Sequence, residues 1–474
     1  MFFMGVGSFL SKYVSKNLFD AFIVIEIVLG FFGGISATAL YISYSYTQHY
    51  YLYNFLFIAV LGTMIGIEIP IVARIINKYT TLKETVAKVF SVDYIGALAA
   101  SVLFPLVLLP LLGVIKTALV IGIINLFIAF YNAWFFRKML NTGKYLSAVS
   151  GFLILVFSTG IYFSSYIDKK LEQKIYQDKI IFSTQTKYQK IVLTRWNDDY
   201  RLFINGSIQF SSTDEYRYHE SLVHLPLTLS PVHEKILVLG GGDGMVIREI
   251  LKYKNVKEIH LVDLDPQITE LAKESEIFTK LNQNSLHDKR VKIFNMDAYN
   301  FIKESSEVYS AIIMDLPDPN DTGLGKLYTK EFYEMLSRRL DVSGIMVTQA
   351  TSPYFANKAY WCTYETIKSV FKKAVPYQAN VPTFGIWGFV MAGGTINKMY
   401  ENDSIDYKIA VQNKFAEKIE SFPSKNKLKF LTAEQLPSML YFEPDTRKNS
   451  EVEINTLSTQ ILVYYYNNSA EQWR

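Results

Sequence analysis

The chain has 474 residues, 50% of them hydrophobic and 19% charged, which is apolar for a soluble protein and long enough for two or three domains. Its net charge of +4 gives no indication of a nucleic-acid partner. The one cysteine, Cys362, excludes an intramolecular disulfide, and the six scattered histidines lack the spacing of metal ligands.

Five apolar runs without charged residues fill most of the first 167 residues. Each is close to the ~20 residues that a helix needs to cross a bilayer. One such run could be a buried core helix, but five in succession indicate a membrane. We predict a multi-pass α-helical membrane domain over residues 1–167, in contact with the lipid bilayer. The runs are Ile27–Gln48, Tyr50–Ile67, Ile95–Ile115, Thr117–Phe136 and Tyr145–Ile167.

Three carboxyl groups lie in or near these runs, on Glu26, Glu68 and Asp93. Carboxylates within a membrane are candidates for an ion or substrate path. We favour the simpler interpretation that they lie near the membrane interface or pair with Arg74 or Lys78, because Glu68 and Arg74 are close together at a helix end.

Composition changes at Asp168, where the charged stretch DKKLEQKIYQDK begins. The segments KIVLTRW and RLFINGSIQF then alternate apolar and polar residues, and Asn205-Gly206 is typical of a hairpin turn. We therefore predict a linker and a small antiparallel β-unit over residues 168–232.

Strand-like and helical segments alternate from Glu234 onwards. This alternation predicts a parallel sheet with helices on both faces, an α/β domain over residues 233–474. Ligands of such sheets bind beyond the carboxyl ends of the strands, and several acidic residues of this chain are placed there. The predicted strands are KILVLGG, EIHLVDLD, VKIFNMDA, SAIIMDLPDP and GIMVTQA.

A glycine-rich turn, GGGDG at residues 240–244, joins the first of these strands to a helix. Glycines there permit a tight turn and the close approach of a nucleotide-type ligand. Asp263 ends the next strand, where its carboxylate could accept hydrogen bonds from ribose hydroxyls. Asp265, just before Pro266, is the better candidate for a helix N-cap. Together these residues indicate a nucleoside site.

Further carboxylates follow the third and fourth strands. Asp297 is placed to meet an adenine amino group, and the loop DLPDP carries Asp315 and Asp318. If Asp315 and Asp318 only form the turn, they need no binding partner. If they face a cavity, they form an anionic site that suits a cationic amine. With Asp243 and Asp263 they would give a negative potential that favours a sulfonium nucleoside and an amine over a pyrophosphate.

The order of these motifs carries a resemblance. GGGDG, VDLD, MDA, DLPDP with LYTKEFY, and GIMVTQA resemble the motif string of spermidine synthases, the polyamine aminopropyltransferase family. Upstream, TKYQKIVLTR, LFINGSIQF and DEYRYHESLVHLPL look like its N-terminal β-unit, and VPTFGIWGFVMA is similar to its substrate-closing segment. The resemblance extends from about Tyr176 to the C-terminus. The apolar part is similar to the membrane-anchored branch of the family, without its first helices.

The resemblance implies a Rossmann-like domain of the S-adenosylmethionine-methyltransferase type. It implies transfer of an aminopropyl group from decarboxylated S-adenosylmethionine to putrescine or a related amine, giving spermidine and 5′-methylthioadenosine. No cofactor or metal is expected besides this co-substrate. Asp315 would be the catalytic base that takes the amine proton, and Asp318 would hold the amine. The other implied substrate-binding residues are Tyr218 and His219 on the diamine side and Gln189, Asp243, Asp263, Asp297 and Ala298 around the donor.

Three departures from the family pattern stand out. Asp263 replaces the usual Glu, and DLPDP replaces the commoner DSSDP, which removes two hydroxyls. Phe384 replaces a Tyr, and the usual Pro-Ser-Gly after it is absent, which bears on the acceptor amine more than on the reaction type.

The alternative functions are an S-adenosylmethionine-dependent methyltransferase, a non-catalytic membrane protein that binds or transports polyamines, and a dehydrogenase. An acidic cleft disfavours the first and the last.

Two observations predict opposite sides of the membrane for the catalytic domain. The basic connections near Lys12, Arg74 and Arg137 are expected on the cytoplasmic side, and five full crossings would then place everything after residue 167 outside. Both expected substrates are cytosolic, so we predict a cytoplasmic catalytic domain on the cell membrane. A re-entrant segment around Pro105 and Pro110 would reconcile the two. The sequence leaves a homo-oligomer open.

Overall fold

The computed structural model describes residues 1–47, 49–400, 407–419 and 428–472. The chain divides into two compact units, Met1–Ile181 and Phe182–Arg474. The position that ends the first predicted apolar run, Gln48, lies outside the described residues.

Long apolar helices make up the first unit. Four described stretches are long and apolar enough to cross a membrane: Leu18–Tyr44, Tyr50–Ile76, Leu82–Phe135 and Gly143–Ile175. The third has 54 residues, and non-helical backbone at Gly113 (φ 73°) interrupts it. The helices are α1 (Phe2–Leu10), α2 (Leu18–Tyr46), α3 (Tyr50–Ile76), α4 (Leu82–Leu103), α5 (Leu109–Phe135) and α6 (Gly143–Ile175), with a π-helical turn at Phe104–Leu108 between α4 and α5.

Two carboxyl groups meet between α2 and α3. The side chains of Glu26 and Glu68 lie within hydrogen-bond distance of each other. Arg74 donates instead to the backbone oxygens of Ser11 and Val14, at 2.7 and 2.8 Å. The expected pairing of Glu68 with Arg74 is therefore wrong. A carboxyl pair on neighbouring helices is not visible in a sequence, because it depends on how the helices pack.

A small antiparallel sheet opens the second part of the chain. Its strands pair in the order β1-β2-β3-β4, and the two-residue turn between β3 and β4 is Asn205-Gly206, with φ of 49° and 83°. Positive φ at both positions is what such a hairpin requires, so the predicted turn is confirmed. The strands are β1 (Lys179–Gln185), β2 (Lys190–Trp196), β3 (Asp199–Ile204) and β4 (Ser207–Ser211).

A larger sheet follows, with the strand order β10-β11-β9-β8-β5-β6-β7 over the described residues. The five predicted strands pair in parallel, as expected, and β10 and β11 add an antiparallel edge. The strands are β5 (Lys235–Gly240), β6 (Glu258–Asp263), β7 (Val291–Asn295), β8 (Tyr309–Asp315), β9 (Leu340–Gln349), β10 (Ala374–Val381) and β11 (Gly385–Gly393). The order reverses beside β5, which places a ligand crevice at the carboxyl ends of β5 and β8.

Helices cover both faces of this sheet and bury two apolar cores. One core lies under α7 and α8, and the other lies under α11, α13, α14 and α18. The helices are α7 (Glu215–Leu229), α8 (Met245–Ile250), α9 (Pro266–Glu274), α10 (Glu276–Leu281), α11 (Ala298–Glu304), α12 (Thr322–Gly325), α13 (Lys330–Arg339), α14 (Asn357–Phe371), α15 (Gly394–Tyr400), α16 (Tyr407–Ile419), α17 (Leu436–Met439) and α18 (Ile461–Gln472).

Candidate active site

A cleft of about 440 Å³ lies at the carboxyl ends of β5, β6 and β8. All nine residues that the sequence singles out line it, on strands, loops and helices far apart in the chain. They are Gln189, Tyr218, His219, Asp243, Asp263, Asp297, Ala298, Asp315 and Asp318. The structure thus brings the set together, while the role of each residue stays a prediction.

The glycine-rich turn closes tightly around the strand ends. Gly240 has φ of 77°, and a Cβ there would lie 2.1 Å from the backbone oxygen of Asp315. A Cβ on Gly242 would lie 2.5 Å from a carboxylate oxygen of Asp263. Since no side chain fits in either place, the turn requires glycine, and it brings the backbone close to two of the predicted site carboxylates.

Asp263 is held by backbone donors. Gly242 N and Asp265 N each donate to its carboxylate at 3.0 Å, while Asp265 itself caps α9 through Gln267 N. The assignment of the N-cap to Asp265 rather than Asp263 is therefore confirmed. Burial raises the pKa of Asp263 to about 6, and the two backbone hydrogen bonds oppose this rise.

Asp297 has two partners besides the cleft. One oxygen accepts a hydrogen bond from Asn300 N at 3.1 Å and so caps α11, and the other lies 2.7 Å from Lys326 Nζ. Ala298, the first residue of α11, is buried beside it. Lys326, which no sequence motif singles out, places a positive charge at this end of the cleft.

Asp315 ends β8 and accepts a 2.6 Å hydrogen bond from the hydroxyl of the buried Tyr218. Asp315 also lines the cleft. Desolvation raises the pKa of Asp315 to about 6, and the charge of His219 opposes the rise. Burial also raises the pKa of Tyr218 well above its ordinary value, so its hydroxyl stays a donor at neutral pH.

Asp318 lies three residues after Asp315, in the loop that follows β8, and its hydrogen-bond partners are uncharged. Its carboxylate accepts a 2.8 Å hydrogen bond from the hydroxyl of Tyr466, on α18, and lies 3.4 Å from Gln349 Nε2. Gln349 also donates to the hydroxyl of Tyr328 and to Leu316 O, both at 2.7 Å, so the amide is fixed. Burial raises the pKa of Asp318 to about 6, against these hydrogen bonds.

His219 is a second positively charged residue of the cleft, besides Lys326. Its Nδ1 lies 2.7 Å from Glu215, whose carboxylate also accepts hydrogen bonds from both terminal nitrogens of Arg248. Burial works against the charged imidazole, but the hydrogen bond to Glu215 raises the pKa of His219 to about 9. His219 is therefore charged at neutral pH, and its charge faces Asp243 and Asp315.

Aromatic rings form an apolar wall beside these carboxylates. Phe384 lies with its ring centroid 6.2 Å from that of Tyr218 and 5.0 Å from that of Trp387, and all three line the cleft. Such a wall suits a chain of methylene groups. Among the residues that the structure describes, no group of three His, Cys, Asp or Glu side chains is placed to hold a metal ion.

Sequence reasoning missed three residues of the site: Lys326, Gln349 and Tyr466. Gln349 ends β9 and is the last residue but one of the predicted strand GIMVTQA, so its position near a strand end was an available signal. Lys326 lies just before LYTKEFY, and a single lysine on a loop carries no pattern. Tyr466 is 148 residues from Asp318, and nothing local links the two.

Comparison with known proteins identifies the family of the chain. Residues 215–403 match the family described as "Spermine/spermidine synthase domain". A polyamine aminopropyltransferase of Leptospira interrogans is 42% identical over 466 residues, covering 98% of this chain and 89% of that protein. Another, from Oceanobacillus iheyensis, is 37% identical over 99% of this chain and 89% of its own length.

A solved structure resembles part of the chain. A crystal structure of spermidine synthase in complex with the transition state analogue AdoDATO has a TM-score of 0.50 and 25% identity, and covers 56% of this chain and 86% of that chain. The likeness to the two curated relatives, by contrast, extends over almost the whole chain, the apolar helices included. On these similarities the chain belongs to the polyamine aminopropyltransferase family.

Proposed function

We propose that this enzyme transfers the aminopropyl group of decarboxylated S-adenosylmethionine to putrescine or a related diamine, giving spermidine and 5′-methylthioadenosine. The observation that carries the proposal is the pair of desolvated carboxylates, Asp315 and Asp318, at one end of a cleft whose other end is built like a nucleoside site. The relatives named polyamine aminopropyltransferase support the reaction type.

The donor would occupy the end formed by β6, β7 and the glycine-rich turn. Asp263 is fixed by two backbone N–H groups and keeps lone pairs for the ribose hydroxyls. Asp297 and Ala298 would meet the adenine, while Gln189 and Asp243 complete the wall around the nucleoside. The sulfonium charge of the donor would then lie among carboxylates, which favours a cationic donor.

The acceptor amine would lie between the aromatic wall and the two carboxylates. Asp315 accepts a proton from the attacking amine, and the freed lone pair forms a C–N bond with the carbon next to the sulfonium. The C–S bond breaks, and its electron pair stays on sulfur as the neutral thioether. A pKa of about 6 makes Asp315 a better proton acceptor than an ordinary aspartate, while it is still ionised at neutral pH.

Two neighbours would orient these groups. The hydroxyl of Tyr218 fixes one oxygen of Asp315 and leaves the other for the amine. Asp318 would bind the ammonium group at the far end of the diamine, supplying charge rather than proton transfer. The charge on His219, held by Glu215, would keep Asp243 and Asp315 ionised side by side.

Product analysis tests the proposal. The purified full-length chain is incubated with isotope-labelled decarboxylated S-adenosylmethionine and a panel of amines, and products are identified by mass. We expect labelled spermidine or a homologue together with 5′-methylthioadenosine. Methyl transfer from ordinary S-adenosylmethionine, or amine binding without any turnover, would contradict the proposal.

We further infer that residues 1–167 form a multi-pass membrane domain, followed by a linker and small β-domain at 168–232 and the catalytic α/β domain at 233–474. Its support is the set of four stretches that are long and apolar enough to cross a membrane. The cytosolic origin of both substrates supports a cytoplasmic catalytic domain.

Fractionation and protease accessibility test this arrangement. A chain that begins at Lys169 should be soluble and the full chain should require detergent. The C-terminus should resist protease in intact cells and be cleaved after permeabilisation. A truncated chain that stays in the membrane fraction would refute the boundary, and cleavage in intact cells would refute the cytoplasmic placement.

A further inference from the structure

The C-terminal helix α18 lies against the loop that carries Asp318. Besides the hydrogen bond from Tyr466 to Asp318, Asn467 Nδ2 donates to the backbone oxygen of Asn320 at 3.1 Å. Gly325, the last residue of the short helix α12 after this loop, is so close to α18 that a Cβ there would lie 2.5 Å from Val463 Cγ2. The segment from Asp318 to Gly325 is therefore in contact with α18 at three successive points.

The buried side-chain amide of Asn455 joins this segment to the first turn of α18. Asn455 Nδ2 donates to the backbone oxygens of Gly325 and Tyr328, at 3.3 and 3.0 Å, and its Oδ1 accepts a hydrogen bond from Leu462 N, in the first turn of α18. Asn455 is fully buried. Because this amide uses both its oxygen and its nitrogen, it fixes the start of the helix relative to the loop.

The partners of Asp318 differ in strength. The hydroxyl of Tyr466 donates at 2.8 Å, whereas Gln349 Nε2 is 3.4 Å away and has two closer acceptors. Tyr466 therefore provides the main hydrogen bond to this carboxylate among the described residues. A phenol brings no charge, so the negative charge of Asp318 stays available to a cationic ligand. At the other end of the cleft, Lys326 neutralises Asp297 instead.

We propose that Tyr466 is a positioning residue for the acceptor amine, holding the Asp318 carboxylate in the orientation that binds the ammonium group. This rests on the proposed role of Asp318. Tyr466 lies beyond residue 403, where the match to the spermine/spermidine synthase domain ends. The C-terminal helix α18 thereby becomes part of the amine site, although it lies outside the matched residues 215–403.

The first test is Tyr466→Phe, which removes the hydroxyl and keeps the ring. We expect the KM for the amine to rise roughly ten- to a hundredfold, as for loss of a hydrogen bond to a charged group, with kcat and the donor KM within about twofold. The matched control is Tyr464→Phe, an exposed tyrosine of the same helix, which should leave all three constants unchanged. Equal losses in all three constants, or a much lower Tm, would show a merely structural role and overturn the inference.

A pH profile adds a readout that packing alone would not move. Burial raises the pKa of Asp318 to about 6 and the hydrogen bond from Tyr466 opposes this rise, so Tyr466→Phe should make the carboxylate easier to protonate. The penalty on the amine KM should therefore grow as pH falls towards 6. Tyr218 and Tyr328 also face Asp318, but the pKa of each is raised well above its ordinary value and both stay neutral; Asp315 is the charged neighbour. A penalty that is independent of pH would count against the inference.

Asp318→Asn separates the failure of this inference from that of the proposed function. If Tyr466 acts through Asp318, adding Tyr466→Phe to Asp318→Asn should raise the amine KM no further. An unchanged amine KM in Asp318→Asn would refute the proposed role of Asp318, and this inference with it. A raised amine KM in Asp318→Asn with a normal one in Tyr466→Phe would overturn the inference alone.

Discussion

The two ends of the cleft hold their carboxylates in different ways. At the nucleoside end, Asp243, Asp263 and Asp297 each accept a hydrogen bond from a backbone N–H at 2.9 to 3.1 Å. At the amine end, the partners of Asp315 and Asp318 are the hydroxyls of two tyrosines and the amide of Gln349. One end is thus fixed by the main chain and the other by side chains.

The two ends of the cleft do not differ in how burial shifts the pKa of their carboxyl groups. Burial raises the pKa of Asp263, Asp315 and Asp318 alike to about 6. The difference lies in what happens when a ligand arrives: a backbone donor cannot turn away, whereas a hydroxyl can rotate. We expect carboxylates of the first kind to fix a rigid nucleoside, and those of the second kind to accommodate the loss and transfer of a proton.

Asp315→Asn should affect the amine end far more than the nucleoside end. The substitution keeps the shape and removes the proton acceptor, so turnover should fall roughly 10²–10⁴-fold, as for other general bases. Donor binding should survive, because the nucleoside end is untouched. Turnover is measured at saturating donor, and donor affinity is measured by calorimetry.

Raising the pH should partly rescue Asp315→Asn, because more of the amine then arrives deprotonated. If the carboxylate only shapes the loop, the variant would instead melt at a lower temperature and keep turnover within a few-fold of the parent. Near-normal turnover in a well-folded protein would remove the general-base assignment.

Asp263→Asn tests the other end. An amide has one oxygen where the carboxylate has two, so either Gly242 N or Asp265 N loses its acceptor and the ribose loses a partner. We expect the donor KM to rise roughly ten- to a hundredfold, and the amine KM to change little. Asp288→Asn, outside the cleft, is the control. An effect confined to the amine KM would contradict the division of the cleft.

The pH dependence of kcat/KM for the amine, at saturating donor, tests the amine end as a whole. Asp315 must be ionised to accept a proton and Asp318 to hold an ammonium group, so protonation of either is inhibitory. With the pKa of each at about 6, activity should decline as pH falls through 6, by roughly tenfold per unit or more below it. A profile without a break near pH 6 would contradict this.

Protein stability should not follow the same curve. Because the folded-state pKa values of Asp315 and Asp318 are raised, the folded chain binds more protons than the unfolded chain between about pH 6 and 4, so these groups favour folding as pH falls there. The pKa of Glu215 is lowered to about 2, against burial, by His219 and Arg248, so its contribution is lost only at more acidic pH. A Tm that does not fall between pH 7 and 5.5 would show that the loss of activity reports the site.

Local patterns in the sequence predict the carboxylates of the nucleoside end and part of the amine end. A strand that ends in Asp263 or Asp315 can be recognised from its apolar run, and the parallel sheet then brings these strand ends together. Asn205-Gly206 likewise predicts its own turn, because the backbone conformation is a property of those two residues.

Contacts made through packing could not be predicted in this way. The hydrogen bond from Tyr466 to Asp318 and the close approach of Glu26 and Glu68 each depend on how two helices or loops come to lie together. The same holds for Lys326, whose charge matters only because its loop meets Asp297. The antiparallel edge was also missed, since β10 and β11 have no signal that distinguishes them from further parallel strands.

The smallest expected effect comes from Phe384→Tyr, which would restore the residue usual in this family. Phe384 lies on the aromatic wall with Tyr218 and Trp387, so the added hydroxyl would enter the amine end and leave the nucleoside end unchanged. One hydrogen bond contributes about 0.5–1.5 kcal/mol, which corresponds to roughly a two- to twelvefold change in the amine KM or in the preference between diamines. Amine and donor constants are measured for parent and variant with diamines of increasing length. A change in acceptor preference with a constant donor KM would show that a side-chain hydroxyl changes the amine end alone. Equal shifts in both constants would show that Phe384 does not belong to the amine end, and the separation of the two ends would have to be drawn elsewhere in the cleft.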